Sequence, residues 1–123
     1  METEQEQGFA HFMEHLTFRG STHVPDGEAK RVWQRLGATF GSDSNAETTP
    51  TQTVYKLDLP NANRASLDES LKILSGMVSS PGLNITAINA ERPVVLAELR
   101  ERAGPQTIVQ NATRELFFAG QLL

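Results

Sequence analysis

The residues best equipped for chemistry stand near the start of the chain, in His11-Phe12-Met13-Glu14-His15. On a helix, side chains four apart lie on one face a single turn from each other, so two imidazoles at i and i+4 can share one cation. Glu14, at i+3, falls on the same face beside them. A carboxylate so placed can take a proton from an attacking water and hand it to a leaving amine. The pattern H-x-x-E-H is the inverted form of the H-E-x-x-H zinc motif, and zinc supplies what the carboxylate lacks by lowering the pKa of a water to about 7. The competing account is a solvated helix face that carries two His and a Glu opposite an apolar stripe.

Two histidines leave such a site one protein ligand short. The chain has no cysteine and three His, so thiolate sites are excluded and the candidates are Asp, Glu and His23. Glu91 and Glu98 stand seven apart, two turns along one helical face. Glu98 lies among Val95, Leu96 and Leu99, which predicts a partly buried carboxylate in need of a partner. Both Glu residues could instead pair with Arg92, Arg100 and Arg102 on a solvated helix. Spacing alone leaves the two accounts open.

These residues need elements to position them. Phe9, Phe12, Met13 and Leu16 follow the i, i+3, i+4, i+7 pattern of one helical stripe, ended by Gly20-Ser21. Pro25-Asp26-Gly27 predicts a second helix with Asp26 as N-cap, Ala29, Val32, Trp33 and Leu36 buried, and Gly37 as its stop. Residues 38–47 read as a weak edge strand, and 51–59 alternate as a half-buried strand closed by Pro60-Asn61. A third helix is predicted from about Asn63 to Ser79 with Leu67, Leu71, Leu74 and Val78 inward. A fourth runs from about Asn84 to Arg102, with a kink or restart at Pro93. After Gly104-Pro105, a last helix from about Gln106 ends in Leu116, Phe117 and Phe118. The order of elements predicts an α+β layer arrangement.

Composition removes other classes. With 11 basic and 15 acidic side chains in 123 residues the net charge is −4, so no nucleic-acid partner is expected. No run approaches the roughly 20 apolar residues of a membrane-spanning helix, so no membrane association is expected either. The polar first seven residues carry no apolar signal-peptide core. The motif follows so abruptly that the chain is expected to be a piece of something larger.

Gly8-Phe9-Ala10-His11-Phe12-Met13-Glu14-His15-Leu16-Thr17-Phe18-Arg19-Gly20-Ser21 resembles the signature of the pitrilysin/insulinase family of inverzincin metallopeptidases, G-[LF]-A-H-[FL]-x-E-H-[ML]-x-F-x-G-[ST]. The likeness continues through Leu36-Gly37-Ala38, Asn45-Ala46, Thr53-Val54-Tyr55 and Glu91-Arg92-Pro93-Val94-Val95-Leu96-Ala97-Glu98. It implies a zinc metalloendopeptidase with one zinc ion, held by His11, His15 and Glu98, and Glu14 as general base. Glu91 would orient a ligand histidine from behind. Residues 41–47 would form an edge strand to which a peptide or unfolded polypeptide adds beside Asn45 and Ala46 through main-chain hydrogen bonds. The implied fold is part of the metallohydrolase domain seen in pitrilysin and mitochondrial processing peptidase, with helices packed on one face of an antiparallel sheet. Pro93 stands where relatives often carry Gly or Asp.

By the same resemblance, residues 1–123 would be a fragment of the N-terminal catalytic domain, without the strand that precedes the motif helix in relatives. The homologous second half, in the same chain or a partner subunit, would complete the site. A fragment with such uncovered faces is expected to self-associate. The compartment is open, with the bacterial periplasm and the cytoplasm as candidates. A non-catalytic subunit of the same family, kept as a binding or structural partner, is the main alternative; such subunits usually lose a motif residue, and His11, Glu14, His15 and Glu98 are all present. S-ribosylhomocysteinase also carries an H-x-x-E-H helix, but its third ligand is a cysteine. An unrelated helical protein with a fortuitous His pair would have no reason to match at Asn45-Ala46 and again from Glu91 to Glu98.

Overall fold

The computed structural model describes residues 2–3, 5–42 and 44–119. Its elements are α1 (Phe9–Thr17), α2 (Glu28–Arg35), β1 (Ser44–Thr48), β2 (Thr53–Leu57), α3 (Arg64–Ser79), α4 (Ile85–Arg102) and α5 (Pro105–Phe117). Local chemistry sets most of the boundaries. Asn63 accepts from the Ser66 backbone N–H at 2.9 Å while Ser66 Oγ accepts from the Asn63 N–H at 3.0 Å, a reciprocal cap that starts α3. Asn84 caps α4 from one side only, its side chain accepting from Ala87 N at 2.8 Å. Gly37, with φ +89°, ends α2 as predicted.

Other boundaries differ from expectation. The N-cap of α2 is Gly27, without a side-chain cap, because the Asp26 carboxylate faces Arg19 instead. α4 runs unbroken through Pro93 with no restart: proline's φ is already helical and its missing N–H removes one rung of the ladder. The first strand is confined to Ser44–Thr48, since Ala38 is buried in the core and Gly41 has φ +98°. Asp43, inside the predicted edge strand, lies outside the described residues.

β1 and β2 form an antiparallel hairpin in which Asn45 faces Lys56, Ala46 faces Tyr55 and Thr48 faces Thr53. Its turn is closed by Thr49 N donating to Gln52 O at 2.8 Å. The core gathers Ala29, Val32 and Trp33 of α2, Ala38, and Ile73 and Met77 of α3, with Phe18, Tyr55 and Leu57 packed against it. This is the predicted α+β arrangement, helices against an antiparallel sheet.

Two helices bury faces other than those predicted. On α3 the buried residues are Ser66, Ser70, Ile73, Gly76 and Met77, whereas Leu67, Leu71 and Val78 are exposed and Leu74 alone of the leucine stripe touches the core. Gly76 explains the rotation: a Cβ there would lie 2.8 Å from Ser21 Oγ, so the small-residue side is the one that can close against the neighbouring loop. On α1, Leu16 is buried but Phe9 and Met13 are exposed. The face carrying His11, Glu14 and His15 is turned inward onto α4 and both strands.

Candidate metal centre

α1 and α4 face each other across the two motifs. His11 Nε2 and His15 Nε2 lie 3.2 Å apart, and Glu98 Oε2 lies 3.3 Å from the first and 3.5 Å from the second. Ligands at about 2.0–2.1 Å around a tetrahedral zinc stand about 3.3–3.4 Å from one another, so these separations are those of three corners of a zinc site. The donor set, two imidazole nitrogens and one carboxylate oxygen without thiolate, fits zinc. All three side chains are half-buried, between 18% and 34% exposed, so a cation between them keeps one open side. Convergence of acceptor atoms at this distance is satisfied by a shared cation. His23 lies elsewhere, on a groove between α2 and α3.

Two of the three ligand candidates, His15 and Glu98, have a further partner. Glu91 Oε2 lies 3.2 Å from His15 Nδ1, a contact that favours the neutral tautomer with the proton on Nδ1 and the lone pair of Nε2 toward the site. Arg19 Nε donates to the other oxygen, Glu91 Oε1, at 2.5 Å, and Arg19 Nη1 lies 3.2 Å from Asp26 Oδ2. The Glu91 hydrogen bond holds the guanidinium pKa above its ordinary value, against a weaker opposing effect of burial, and the bond to Asp26 adds to the rise. Glu98 also lies 3.8 Å from Arg102 Nη2. Of the arginines expected to compete for the two carboxylates, Arg102 alone is near one; Glu91 turns to Arg19 rather than Arg92. Val95 beside Glu98 is buried, but Leu96 and Leu99 are exposed.

Glu14 stands beside the pair and accepts a hydrogen bond from Thr48 Oγ1, with Thr53 Oγ1 at 3.2 Å from the same hydroxyl. Asn45 and Ala46 lie on β1, whose sole partner among the described residues is β2. Asn45 Oδ1 accepts from the Ala46 backbone N–H at 2.9 Å. A cleft of about 740 Å³ opens next to His11, bordered by Phe9, Met13, Thr48, Thr53 and Arg114. Glu2 accepts from the backbone N–H groups of Gly8 and Ala10 at the start of α1, filling the cap that Gly8 cannot provide.

Arg19, Thr48 and Glu2 escaped the sequence reading. Arg19 sits inside a matched segment and Thr48 between two of them, yet nothing in their spacing connects them to partners so far along the chain.

The sequence matches the profile of Insulinase (Peptidase family M16) over residues 1–121. The chain belongs to this family. Among its M16 relatives, the probable zinc protease PqqL of Escherichia coli is 30% identical over 118 residues, which is 96% of this chain and 13% of PqqL. Cytochrome b-c1 complex subunit 1 of Homo sapiens is 29% identical over 120 residues, 97% of this chain and 24% of that protein. The crystal structure of the first half of the periplasmic protease PqqL from Escherichia coli superposes with a TM-score of 0.88 at 29% identity, covering 98% of this chain and 26% of that one. The chain therefore spans about an eighth of PqqL, and its helices and hairpin have the fold of that M16 half.

Proposed function

We propose that this chain carries the zinc centre of a metalloendopeptidase and is a fragment, over residues 1–123, of the N-terminal catalytic domain of a larger protein. The observation that carries the reading is the convergence of His11 Nε2, His15 Nε2 and Glu98 Oε2, with Glu14 alongside. One zinc ion held by these three supplies Lewis acidity, polarising the scissile carbonyl and making water a nucleophile near neutral pH.

The chain's own residues do the rest. Glu91 keeps His15 in the tautomer that offers Nε2. Glu14, with one oxygen held by Thr48, takes the proton of the attacking water on its carboxylate and delivers it to the leaving nitrogen. A peptide or unfolded polypeptide adds as a strand to the free edge of β1 beside Asn45 and Ala46, its main chain replacing the local Asn45–Ala46 hydrogen bond. The homologous second half, in the same chain or a partner subunit, would close the cleft from the other side. The E. coli PqqL structure is described as that of a periplasmic protease, which favours the bacterial periplasm for this protein.

Zinc titration of the chain against a competing chelator tests the reading. Stoichiometric binding that is lost in His11→Ala and His15→Ala is expected; no binding by the parent overturns it. A non-catalytic family subunit is the second reading, favoured by the similarity to the cytochrome b-c1 subunit. The presence of all four motif residues weighs against it, and hydrolysis of an unstructured peptide by the complete protein decides between them.

A further inference from the structure

We propose that Arg19 is a positioning residue of the metal centre, acting on His15 through the carboxylate of Glu91. The inference deepens the zinc-site reading and rests on it. A carboxylate that faces an imidazole can present either oxygen, and its terminal torsion is soft. Arg19 removes that freedom. Its Nε–H occupies Glu91 Oε1 at 2.5 Å, which leaves Oε2 to accept from His15 Nδ1 at 3.2 Å. With Nδ1 committed as donor, the imidazole shows its lone pair at Nε2, on the side where His11 and Glu98 converge.

Burial makes the partnership necessary as well as convenient. The Glu91 side chain is 12% exposed, and a carboxylate that nearly closed off from water requires a counter-charge. Arg19 is itself held from behind by Asp26 at 3.2 Å, so the guanidinium is fixed between α4 and the loop that enters α2. The chain turns sharply straight after it. Gly20 has φ +145°, and a Cβ there would stand 2.8 Å from Val24 O and 3.0 Å from Asp26 N. This turn brings Asp26 back alongside Arg19. The competing account is that Arg19 only ties the end of α1 to α4, contributing stability but leaving the His15 ring indifferent.

Nitrogen-15 NMR of the imidazole rings in the metal-free chain, together with zinc affinity by chelator competition, separates the two. Arg19→Met is expected to weaken the Nδ1–H preference of His15 and to lower zinc affinity severalfold, by less than the about 10–100-fold that losing Glu91, the outer partner of the ligand itself, would cost. Arg19→Lys keeps the charge without the fork and is expected to fall between Arg19→Met and the parent. In a Glu91→Gln background, Arg19→Met is expected to add nothing further, because Arg19 acts through that carboxylate. An unchanged His15 tautomer with affinity within twofold of the parent overturns the proposal, as does full additivity of the two substitutions. Should Arg19→Met fail to fold, Arg19→Lys with and without Glu91→Gln is judged by the same criteria. If the parent chain takes up no zinc, the ligand reading fails by itself, while the ring tautomer of the metal-free chain still decides what Arg19 does to His15.

Discussion

Thr48 Oγ1, at the end of β1, donates a hydrogen bond to Glu14 Oε2 on α1. The proposed base is thus held by the strand to which the substrate is proposed to add. Removing the hydroxyl while keeping the shape, in Thr48→Val, frees the carboxylate to rotate. Hydrogen bonds to charged groups contribute about 1.5–3 kcal/mol, so the complete enzyme should lose roughly tenfold or more in kcat. Zinc affinity should not change. Equal losses in metal binding and turnover would place Thr48 in support of the ligands instead.

Glu14→Gln removes the base but leaves the three converging donors intact. An amide cannot accept the water's proton, and general-base catalysis is worth about 10²–10⁴ in rate. Full zinc occupancy with that loss of hydrolysis is expected from single-turnover assays on the complete protein. Activity above about a tenth of wild type would remove Glu14 from the role.

Glu98 is expected to be a direct ligand, so Glu98→Ala should weaken zinc binding by more than the about 10–100-fold that losing an outer partner costs. Competition titration reads this without any need for turnover. Unchanged affinity would exclude Glu98 from the site.

Gly20→Ala should destabilise the chain by about 1–3 kcal/mol, because the added Cβ meets backbone at 2.8 Å and the backbone sits at φ +145°. Urea denaturation measures the change. A midpoint equal to that of the parent would mean the turn can relax.

The isolated chain should associate in solution and hydrolyse peptides poorly. Leu116, Phe117 and Phe118 of the C-terminal region are 76%, 71% and 47% exposed, and the free edge of β1 is a template for pairing. Without groups opposite the metal to hold the developing oxyanion, a loss of about 10²–10³ in turnover is expected. A clean monomer by light scattering, with peptide cleavage at the rate of the complete enzyme, would contradict both expectations.

The positions of the elements were largely legible in the sequence because caps and stops are local: Asn63, Asn84 and Gly37 act on residues within a turn of themselves. Which face each helix buries was less so. Hydrophobicity pointed to Leu67, Leu71 and Val78 on α3, but close approach to Ser21 selected the side of Gly76 and Ser70. The same holds on α1, where Phe9 and Met13 lie outward while the polar face meets α4. In the candidate site, the H-x-x-E-H spacing marked three residues by helical periodicity alone. Glu98 rather than His23 was only implied, by resemblance, and its approach to both imidazoles is visible only in three dimensions. Arg19 and Thr48 reach their partners across 72 and 34 positions, distances at which no periodicity carries information.

His15 and Glu98 are separated by 83 positions, and Leu16, Ala87 and Val95 are the only buried apolar residues of α1 and α4 among the described residues. A cation bridging these helices is therefore a clasp that closes a long loop, a contribution that grows with the logarithm of the loop's length. Ligand linkage sets its size: at a free zinc concentration 1,000 times the dissociation constant it reaches about 4.1 kcal/mol, a large share of the stability of an ordinary domain. Starving the protein of metal would then do more than silence a reaction. It would leave the joint between the two helices to the His15–Glu91–Arg19 contacts alone, and the metal-free chain would be the less stable form.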